Sequence, residues 1–324
     1  MNFKRLITFG FDPRTGSCLR GVLAHPLESV YRLCRRLSVD DDRAQRELLQ
    51  NLALGLPDRA AGPYADELAF LAQFTRDPYG MFPYPLQGAP RAVESGVDAS
   101  VGLPYVVHEG RRFYGPKDQS VDDVVRSYRY FTEDEGLLGQ GRRTKSPHAY
   151  TDAFFTVEAG DVVVDIGCSD ALFAFHYAPA ASRLYLFESW SRWKPALVAS
   201  FAPYREKTTI LDKFVTDRTE GGDIRLVDAV AAEPGARYFI KMDIEGGERA
   251  VLAASRDFLR ANKVKLSCCV YHRQDDAEAI AAFLKELGYS VRFSAGWMLP
   301  LVNGVHFPYF RHGVLYARND GVPA

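Results

Sequence analysis

The stretch Asp161-Val-Val-Val-Asp-Ile-Gly-Cys-Ser-Asp170 decides how the second half of the chain folds. Its apolar, β-branched run from Val162 to Ile166 is typical of a strand buried on both faces of a parallel sheet. Gly167 follows at once, where a tight turn leaves backbone N–H groups available, and Ala171 to Tyr177 predict a helix. A strand, a glycine turn and a helix N-terminus together form a cradle for a nucleotide-type ligand.

The glycine spacing of this loop separates two kinds of ligand. The loop has one glycine rather than three, so a pyrophosphate fits poorly, and an ordinary strand-to-helix turn is the competing interpretation. The next strand, Arg183 to Phe187, ends in Glu188, where a carboxylate can bind both hydroxyls of a ribose. This combination favours a nucleoside without pyrophosphate, such as S-adenosylmethionine. The expected cofactor-binding residues are Asp165, Gly167, Cys168, Ser169, Asp170, Glu188, Asp212 and Asp243.

Composition limits the classes of protein and partner. The chain has 324 residues, of which 47% are hydrophobic and 25% charged, and its formal net charge is -1. Such a chain has no global attraction to nucleic acid or to an anionic membrane. No apolar run approaches a transmembrane helix, and the five cysteines lie in no metal-ligand spacing. We therefore expect a cytoplasmic protein with a small-molecule or glycan acceptor, no nucleic-acid partner and no membrane insertion; a homo-oligomer is compatible with the sequence.

Length and pattern predict two regions. Residues 1–145 are expected to form an extension, helical at first and then a small β-element with a hairpin turn at Gly110 and a helix capped by Ser120. This extension is expected to serve as a lid, an acceptor-binding region or a partner surface. Residues 146–324 are expected to form an α/β domain with a doubly wound, mostly parallel sheet, because strands alternate with helices.

The predicted elements of this domain alternate along the chain. Strands are expected near 162–166, 183–187, 208–215, 238–242 and 264–270, and helices near 171–177, 192–204, 248–261 and 275–287. The last helix ends at Gly288, which suits a helix C-cap. Two more strands are expected, near 290–294 and 313–318.

Polar residues follow these strands at the edge where ligands bind in doubly wound sheets. The fourth strand ends in the densest group, Lys241-Met-Asp-Ile-Glu-Gly-Gly-Glu248. Its carboxylates have three interpretations: a base, oxygen ligands of a hard divalent cation such as Mg²⁺, or caps of the following helix. The helix-start interpretation is favoured for Glu248. Asp243 and Glu245 precede the helix and are expected to be catalytic groups or metal ligands.

The fifth strand ends in Tyr271-His-Arg-Gln274, and His272 is the expected general base. A lone histidine is more often structural, but this one lies in a polar stretch at the ligand-binding edge. An imidazole titrates near neutral pH and can take a proton from an alcohol as it attacks. The basic stretch 141–150 is either a solvated loop or part of the acceptor site. The expected acceptor-binding residues are His148, Tyr150, Lys241, Tyr271 and Arg273.

Three stretches together resemble the FkbM family of S-adenosylmethionine-dependent methyltransferases. They are Val163-Val-Asp-Ile-Gly167, Glu188 and above all Phe239-Ile-Lys-Met-Asp-Ile-Glu-Gly-Gly-Glu248. The resemblance runs from about residue 146 to 318. It implies a Rossmann-like class I methyltransferase fold, in which a seven-stranded sheet has a reversed final strand. It also implies methyl transfer to a hydroxyl oxygen, often on sugars, glycoconjugates or polyketide-like molecules. Ala171 departs from the family pattern, which commonly has glycine there.

The sequence thus predicts an O-methyltransferase, with two rival interpretations. A scaffold that binds a nucleoside without turnover, with the N-terminal half as its interaction surface, would have the same cradle. A nicotinamide dehydrogenase is disfavoured, because the second and third glycines after the first strand are missing. In the methyltransferase, the sulfonium already makes the methyl group electrophilic. The protein then has to align the acceptor oxygen and remove its proton.

Overall fold

The computed structural model of the protein describes residues 62–73, 81–300 and 310–321. These residues fall into two compact units, the first ending at Pro83 and the second beginning at Tyr84. The first unit contains helix α1 (Ala65–Gln73). The helices predicted before residue 62 lie outside the described residues. Within the described ranges, no helix has the length and apolarity needed to cross a membrane.

The second unit begins with a small antiparallel sheet. Its strands are β1 (Ser95–Asp98), β2 (Leu103–His108) and β3 (Arg111–Tyr114). Glu109 and Gly110 connect β2 to β3, and both have positive φ, as a two-residue hairpin turn requires. Helix α2 (Val121–Arg129) follows. Ser120 caps α2, because its hydroxyl accepts a hydrogen bond from the Asp123 N–H.

The predicted α/β arrangement follows this β-element. The strands are β4 (Val162–Ile166), β5 (Arg183–Phe187), β6 (Thr208–Leu211), β7 (Phe214–Thr216), β8 (Asp223–Arg225), β9 (Arg237–Met242), β10 (Lys263–Cys269), β11 (Ser290–Phe293) and β12 (Val314–Arg318). The helices are α3 (Leu172–Tyr177), α4 (Lys194–Phe201), α5 (Leu226–Ala229), α6 (Glu248–Ala254), α7 (Arg256–Ala261) and α8 (Asp276–Glu286).

Seven of these strands form one sheet in the spatial order β11-β12-β10-β9-β4-β5-β6. Strand β12 is antiparallel to both of its neighbours, whereas the pairs from β10 to β6 are all parallel. The predicted Rossmann-like fold of class I methyltransferases, with its reversed final strand, is therefore confirmed. β7 and β8 form a separate two-stranded sheet that the sequence analysis did not predict.

Three expected elements are shorter than the sequence indicates. The predicted strand 208–215 is split, because the Lys213 N–H bonds to the Leu211 carbonyl and turns the chain between β6 and β7. The predicted helix 192–204 ends at Phe201 and continues as a 3₁₀ turn that contains Pro203, which cannot donate an α-helical hydrogen bond. The predicted helix 248–261 is broken at Ser255 into α6 and α7.

The main sheet separates two hydrophobic layers. Val162 and Val164 pack in one layer and Val163 packs in the other, because successive side chains of a strand point to opposite faces. Cys268 and Cys269 divide between the layers in the same way, as the sequence predicts. Every residue of β4 is buried, which explains its unbroken apolar run.

The β-element packs within the same compact unit as the main sheet. Val106, Phe113 and Val124 share a hydrophobic layer with Val163 and Phe175. This unit begins at Tyr84, whereas the sequence analysis begins the α/β domain at residue 146. The different roles expected for residues 1–145 and 146–324 stay a prediction.

Gly167 is expected to tolerate no side chain. Its φ is +69, and a Cβ at this position would overlap the Asp243 carbonyl oxygen. Gly160 is a matched control, since its φ is +86 but a Cβ there would meet nothing within 4 Å. Gly160→Ala should lower the free energy of unfolding by about 1–2 kcal/mol. Gly167→Ala should lower it by about 1–3 kcal/mol more. Urea unfolding measures both, and equal losses would contradict the close approach.

Candidate active site

The site lies at the carboxyl-terminal edge of the parallel strands. Strands β4, β5, β9 and β10 run in one direction, so the residues after their last positions meet there. The Asp243 N–H donates to the Ile166 carbonyl at 3.1 Å, and the Gly167 and Cys168 N–H groups both donate to the Phe187 carbonyl at 3.0 Å. These bonds fix the loops after β4 and β9 relative to the sheet.

Glu188 organises the loop after β4. Its carboxylate accepts hydrogen bonds from the Ser169 N–H at 2.8 Å and from the Trp190 N–H at 2.7 Å. Burial raises the pKa of Glu188, and these two bonds oppose the rise. A carboxylate has about four lone-pair sites, so two backbone bonds leave acceptor capacity for a diol. The sequence prediction of a ribose-binding carboxylate is compatible with this geometry.

The same loop has an unusual backbone for its residue types. Ser169 and Ala171 have φ of +50 and +59, in the left-handed region that favours glycine. Ala171 therefore occupies a position whose conformation suits the glycine that the family pattern commonly has. Asp170 precedes α3, and its Oδ1 accepts a hydrogen bond from the Leu172 N–H at 3.0 Å. Burial raises the pKa of Asp170 to about 7.

Asp165 and Lys241 form a buried ion pair directly beneath the loop. The Lys241 Nζ lies 3.1 Å from Asp165 Oδ1 and donates to the Gly167 carbonyl at 2.7 Å. Burial lowers the pKa of Lys241, but Asp165 and Asp243 outweigh this effect and raise it. Burial raises the pKa of Asp165. Their observed contacts are thus with the protein itself, so a cofactor role for Asp165 and an acceptor role for Lys241 stay predictions.

Two other expected cofactor residues differ in exposure. Cys168 is buried, and burial raises the pKa of its thiol well above the usual range. Asp212 is exposed after β6, where its carboxylate pairs with Lys194 Nζ at 2.6 Å.

His148 lies between two carboxylates. Its Nδ1 is 3.2 Å from Glu135 Oε2 and its Nε2 is 3.5 Å from Asp243 Oδ2. Burial lowers the pKa of the imidazole, but the two carboxylates outweigh burial and raise it to about 10. His148 is therefore an imidazolium at neutral pH. Glu135 was not predicted from the sequence, because an acidic run such as Glu133-Asp-Glu135 has the pattern of a solvated segment.

Asp243 is the centre of the cluster. The Tyr150 hydroxyl donates to Asp243 Oδ2 at 2.8 Å, and His272 Nε2 lies 3.4 Å from Oδ1. Burial raises the pKa of Asp243, but His148, Lys241 and His272 outweigh it, and the pKa falls well below its usual range. Asp243 is therefore ionised and holds three polar side chains around one carboxylate.

The His272 ring lies between Glu248 on one side and Asp243 and Glu245 on the other. Its Nδ1 is 3.1 Å from Glu248 Oε1, and its Nε2 is 3.5 Å from Glu245 Oε2. Burial lowers the pKa of His272, but the three carboxylates outweigh it and raise the pKa. Glu248 also accepts the Ile244 N–H at 3.0 Å and begins α6, as expected. Its contact with His272 is a second role that the sequence did not indicate.

The remaining expected residues differ in their distance from this cluster. The Tyr271 ring contacts the His148 and His272 rings, with centroid distances of 5.2 Å and 4.2 Å. Arg273 is exposed, and its backbone N–H bonds to Asp276 Oδ2 at 3.0 Å. The structure therefore brings Tyr150, Tyr271 and His148 together and leaves Arg273 at the rim.

Two carboxylates and one imidazole in this cluster could bind a divalent cation together. Asp243, Glu248 and His272 each present one donor atom within 4.8 Å of the others. However, Asp243 and Glu245 both approach the His272 Nε2, and Glu248 approaches Nδ1. The imidazole thus occupies the space between the carboxylates. A cation bound by Asp243 and Glu245 together would therefore either bind His272 Nε2 as well or displace the ring.

Comparisons with known proteins bear on this domain. Residues 174–291 match the family model of the Methyltransferase FkbM domain, a range that contains Glu188, Asp243 and His272. Comparison with curated proteins gave no match.

Solved structures similar to the chain include three proteins of low sequence identity. Methyltransferase FkbM from Methylobacillus flagellatus KT is 19% identical, with a TM-score of 0.41 over 50% of this chain and 44% of that chain. Precorrin-6y C5,15-methyltransferase from Geobacter metallireducens GS-15 is 17% identical, with a TM-score of 0.34 over 50% and 80% of the two chains. A Streptococcus mutans protein in complex with SAH is 15% identical, with a TM-score of 0.32 over 50% and 90%. The chain thus spans less than half the length of the Methylobacillus protein.

The charge on His148 should make stability depend on pH. The folded-state pKa is about 10, against about 6.5 in an unfolded chain. A raised folded-state pKa gives stability that is fully present below about pH 6.5 and is lost as the pH rises through about 10. His148→Gln should remove this slope and, because it breaks a buried pair, lower the free energy of unfolding at pH 7 by about 3–5 kcal/mol. Urea unfolding over this pH range measures both effects. An NMR titration of His148 with a midpoint near 6.5 would contradict the assignment.

Proposed function

We propose that this chain, which has a Methyltransferase FkbM domain in residues 174–291, is an S-adenosylmethionine-dependent O-methyltransferase. Its proposed acceptor is a hydroxyl of a sugar, a glycoconjugate or a polyketide-like small molecule. The observation that carries the proposal is the position of His272. Its imidazole is held by Asp243 and Glu248 at the same sheet edge as the Glu188 loop. A proton acceptor and a nucleoside-binding loop therefore share one edge of the sheet.

The loop after β4 supports S-adenosylmethionine over a dinucleotide. Gly167 allows the turn to pack against β9, and the loop has no further glycine to admit a pyrophosphate. Glu188 keeps acceptor capacity for the two hydroxyls of a ribose. When bound, this cofactor supplies an electrophilic methyl group, so the chain's own residues need only position the acceptor and move its proton.

His272 is the proposed proton acceptor. His272 Nε2 would take the proton of the acceptor hydroxyl as the oxygen replaces the sulfur on the methyl carbon, and Asp243 would stabilise the resulting imidazolium through its charge. The neighbouring carboxylates raise the pKa of His272. The neutral ring, which can accept a proton, therefore predominates only at a pH above the usual pKa of an imidazole. The rate of methyl transfer should consequently rise with pH, and the midpoint of this rise should lie above about pH 6.5.

The proposed acceptor pocket lies beside this ring. Tyr150 and Tyr271 offer aromatic surfaces, and the charged imidazolium of His148 lies between them, with ring centroids 5.3 Å and 5.2 Å away. Aromatic faces and a charged donor suit a polyhydroxylated molecule. Lys241 and Arg273 are the other proposed contacts. A cytoplasmic setting and the absence of nucleic-acid partners remain expectations.

A nucleoside-binding role without turnover is the second candidate. Ala171 favours it, because its φ of +59 occupies a conformation better suited to glycine at the proposed cofactor loop. Formation of the demethylated cofactor in the presence of acceptors separates the two functions, since a non-catalytic binder would release S-adenosylmethionine unchanged.

Cofactor binding should depend on Glu188. Each hydrogen bond to a charged acceptor is worth about 1.5–3 kcal/mol, so Glu188→Ala and Glu188→Gln should weaken S-adenosylmethionine binding at least about tenfold. Calorimetry with the cofactor and with its demethylated product measures this change. Glu206→Ala is the control, because that side chain is 86% exposed and pairs only locally with Arg205. Equal affinities of all variants would exclude Glu188 from the ribose site.

Methyl transfer should depend on His272. A general base contributes about 10²–10⁴-fold, so His272→Ala should lower kcat by that order while leaving cofactor affinity nearly unchanged. The acidic limb of the pH–rate profile should disappear with it. The exposed neighbour Gln274 provides the control substitution, Gln274→Ala. A mutant that raises KM but keeps kcat and the acidic limb would instead assign the proton transfer to Asp243 or Glu245.

Asp243 and Glu245 have a second proposed role as oxygen ligands of Mg²⁺. A bound cation would lower the pKa of the acceptor hydroxyl and so assist the same proton transfer. If the enzyme uses this route, EDTA should abolish activity and Mg²⁺ should restore it in a methyl-transfer assay. Full activity in EDTA would limit the two carboxylates to positioning His272.

A further inference from the structure

A second cluster of metal-ligating side chains lies at the opposite end of α3 from the Ser169 loop. It contains His108 at the end of β2, Glu109 in the hairpin turn and His176 in the last turn of α3. His108 Nε2 lies 3.0 Å from His176 Nδ1. Glu109 Oε1 lies 3.4 Å from His176 Nδ1, and Glu109 Oε2 lies 3.8 Å from His108 Nε2. Two imidazoles and one carboxylate thus converge from two separate elements.

We propose that His108, Glu109 and His176 bind a divalent transition-metal ion, with Zn²⁺ as the best-fitting ion. In a tetrahedral site, Zn²⁺ has bonds of about 2.0–2.2 Å, which set neighbouring donor atoms about 3.3 Å apart. The 3.0 Å between the two ring nitrogens and the 3.4 Å between Glu109 Oε1 and His176 Nδ1 lie on either side of this value, so small side-chain rotations would complete the site. Imidazole nitrogens with a carboxylate are donors that suit Zn²⁺.

One hydrogen bond orients the His108 ring for metal binding. His108 Nδ1 lies 2.8 Å from the Tyr128 hydroxyl. If Nδ1 donates this bond, the Nε2 lone pair points into the cluster, as in known metal sites.

The guanidinium of Arg111 lies beside Glu109. Its Nη2 lies 3.0 Å from Glu109 Oε2, and its Nη1 donates to the Phe175 carbonyl at 2.8 Å and to the Tyr204 hydroxyl at 3.2 Å. Arg111 therefore holds one oxygen of Glu109 and leaves Oε1 directed towards His176. The Glu109 side chain is 54% exposed and that of His176 is 25% exposed. Water can therefore complete the coordination.

A bound ion would join the hairpin to α3. The other end of α3 adjoins the loop whose Ser169 N–H bonds to Glu188. Metal binding would therefore restrict the movement of the small sheet β1–β3 relative to the loop after β4, which is the proposed cofactor loop. This inference does not depend on methyl transfer, because the two clusters share no residue.

Metal titration of the full-length protein tests the proposal. After removal of metal by a chelator, Zn²⁺ is titrated by calorimetry, and Co²⁺ is titrated by its visible absorption, which reports coordination geometry. We expect one equivalent to bind and to raise the Tm. His176→Ala and Glu109→Gln should weaken binding at least about 100-fold, since even outer-shell partners change metal affinity by about 10–100-fold. Tyr128→Phe, which alters such a partner, should weaken it by about 10–100-fold.

His272→Ala is the matched control, because it removes a histidine from a different cluster of donor atoms, that of Asp243 and Glu248. It should bind Zn²⁺ with unchanged stoichiometry and affinity. Circular dichroism of the metal-free variants checks that each one is folded. The proposal is overturned if wild-type protein binds no Zn²⁺ equivalent. It is also overturned if binding survives in His176→Ala and Glu109→Gln, or if it is lost in His272→Ala instead.

Discussion

The close approach of the β9 end to the glycine turn after β4 is the constraint on which the site depends. Gly167 leaves no room for a Cβ beside the Asp243 carbonyl, and Lys241 bonds to the carbonyl of the same glycine. This packing places the Asp243 carboxylate next to the loop that Glu188 organises. The proposed proton acceptor and the proposed cofactor loop can therefore lie at one sheet edge because the turn has no side chain.

Charge balance is the second requirement of this edge. Buried charges are costly unless they are paired, and here each buried ion has a partner of opposite sign. Lys241 is paired with Asp165, and Asp243 is flanked by His148 and His272. The arrangement explains why the pKa of Asp243 is lowered while those of both histidines are raised. A fixed ionised carboxylate beside His272 can stabilise a proton that arrives at that ring.

The sequence predicted the sheet well because its signals are local. The apolar run of β4 and the glycine after it define a buried strand and a turn without reference to the rest of the chain. The partners within the site depend instead on strand register and on distant segments. Asp165 and Lys241 are opposite each other in the pairing of β4 with β9, and the buried ion pair that they form there was not predicted. Glu135 was missed for the same reason, since no spacing in an acidic run shows that one carboxylate is buried against His148.

The identity of the bond formed is the most direct test of the account. The protein is incubated with S-adenosylmethionine labelled with ¹³C in its methyl group and with activated sugars, glycolipid precursors and polyketide precursors. NMR then locates the label in the product. We predict a labelled methoxy group on an acceptor hydroxyl, formed in equal amount with the demethylated cofactor. Label on carbon or nitrogen, or cofactor that binds and is never consumed, would contradict O-methylation by this site.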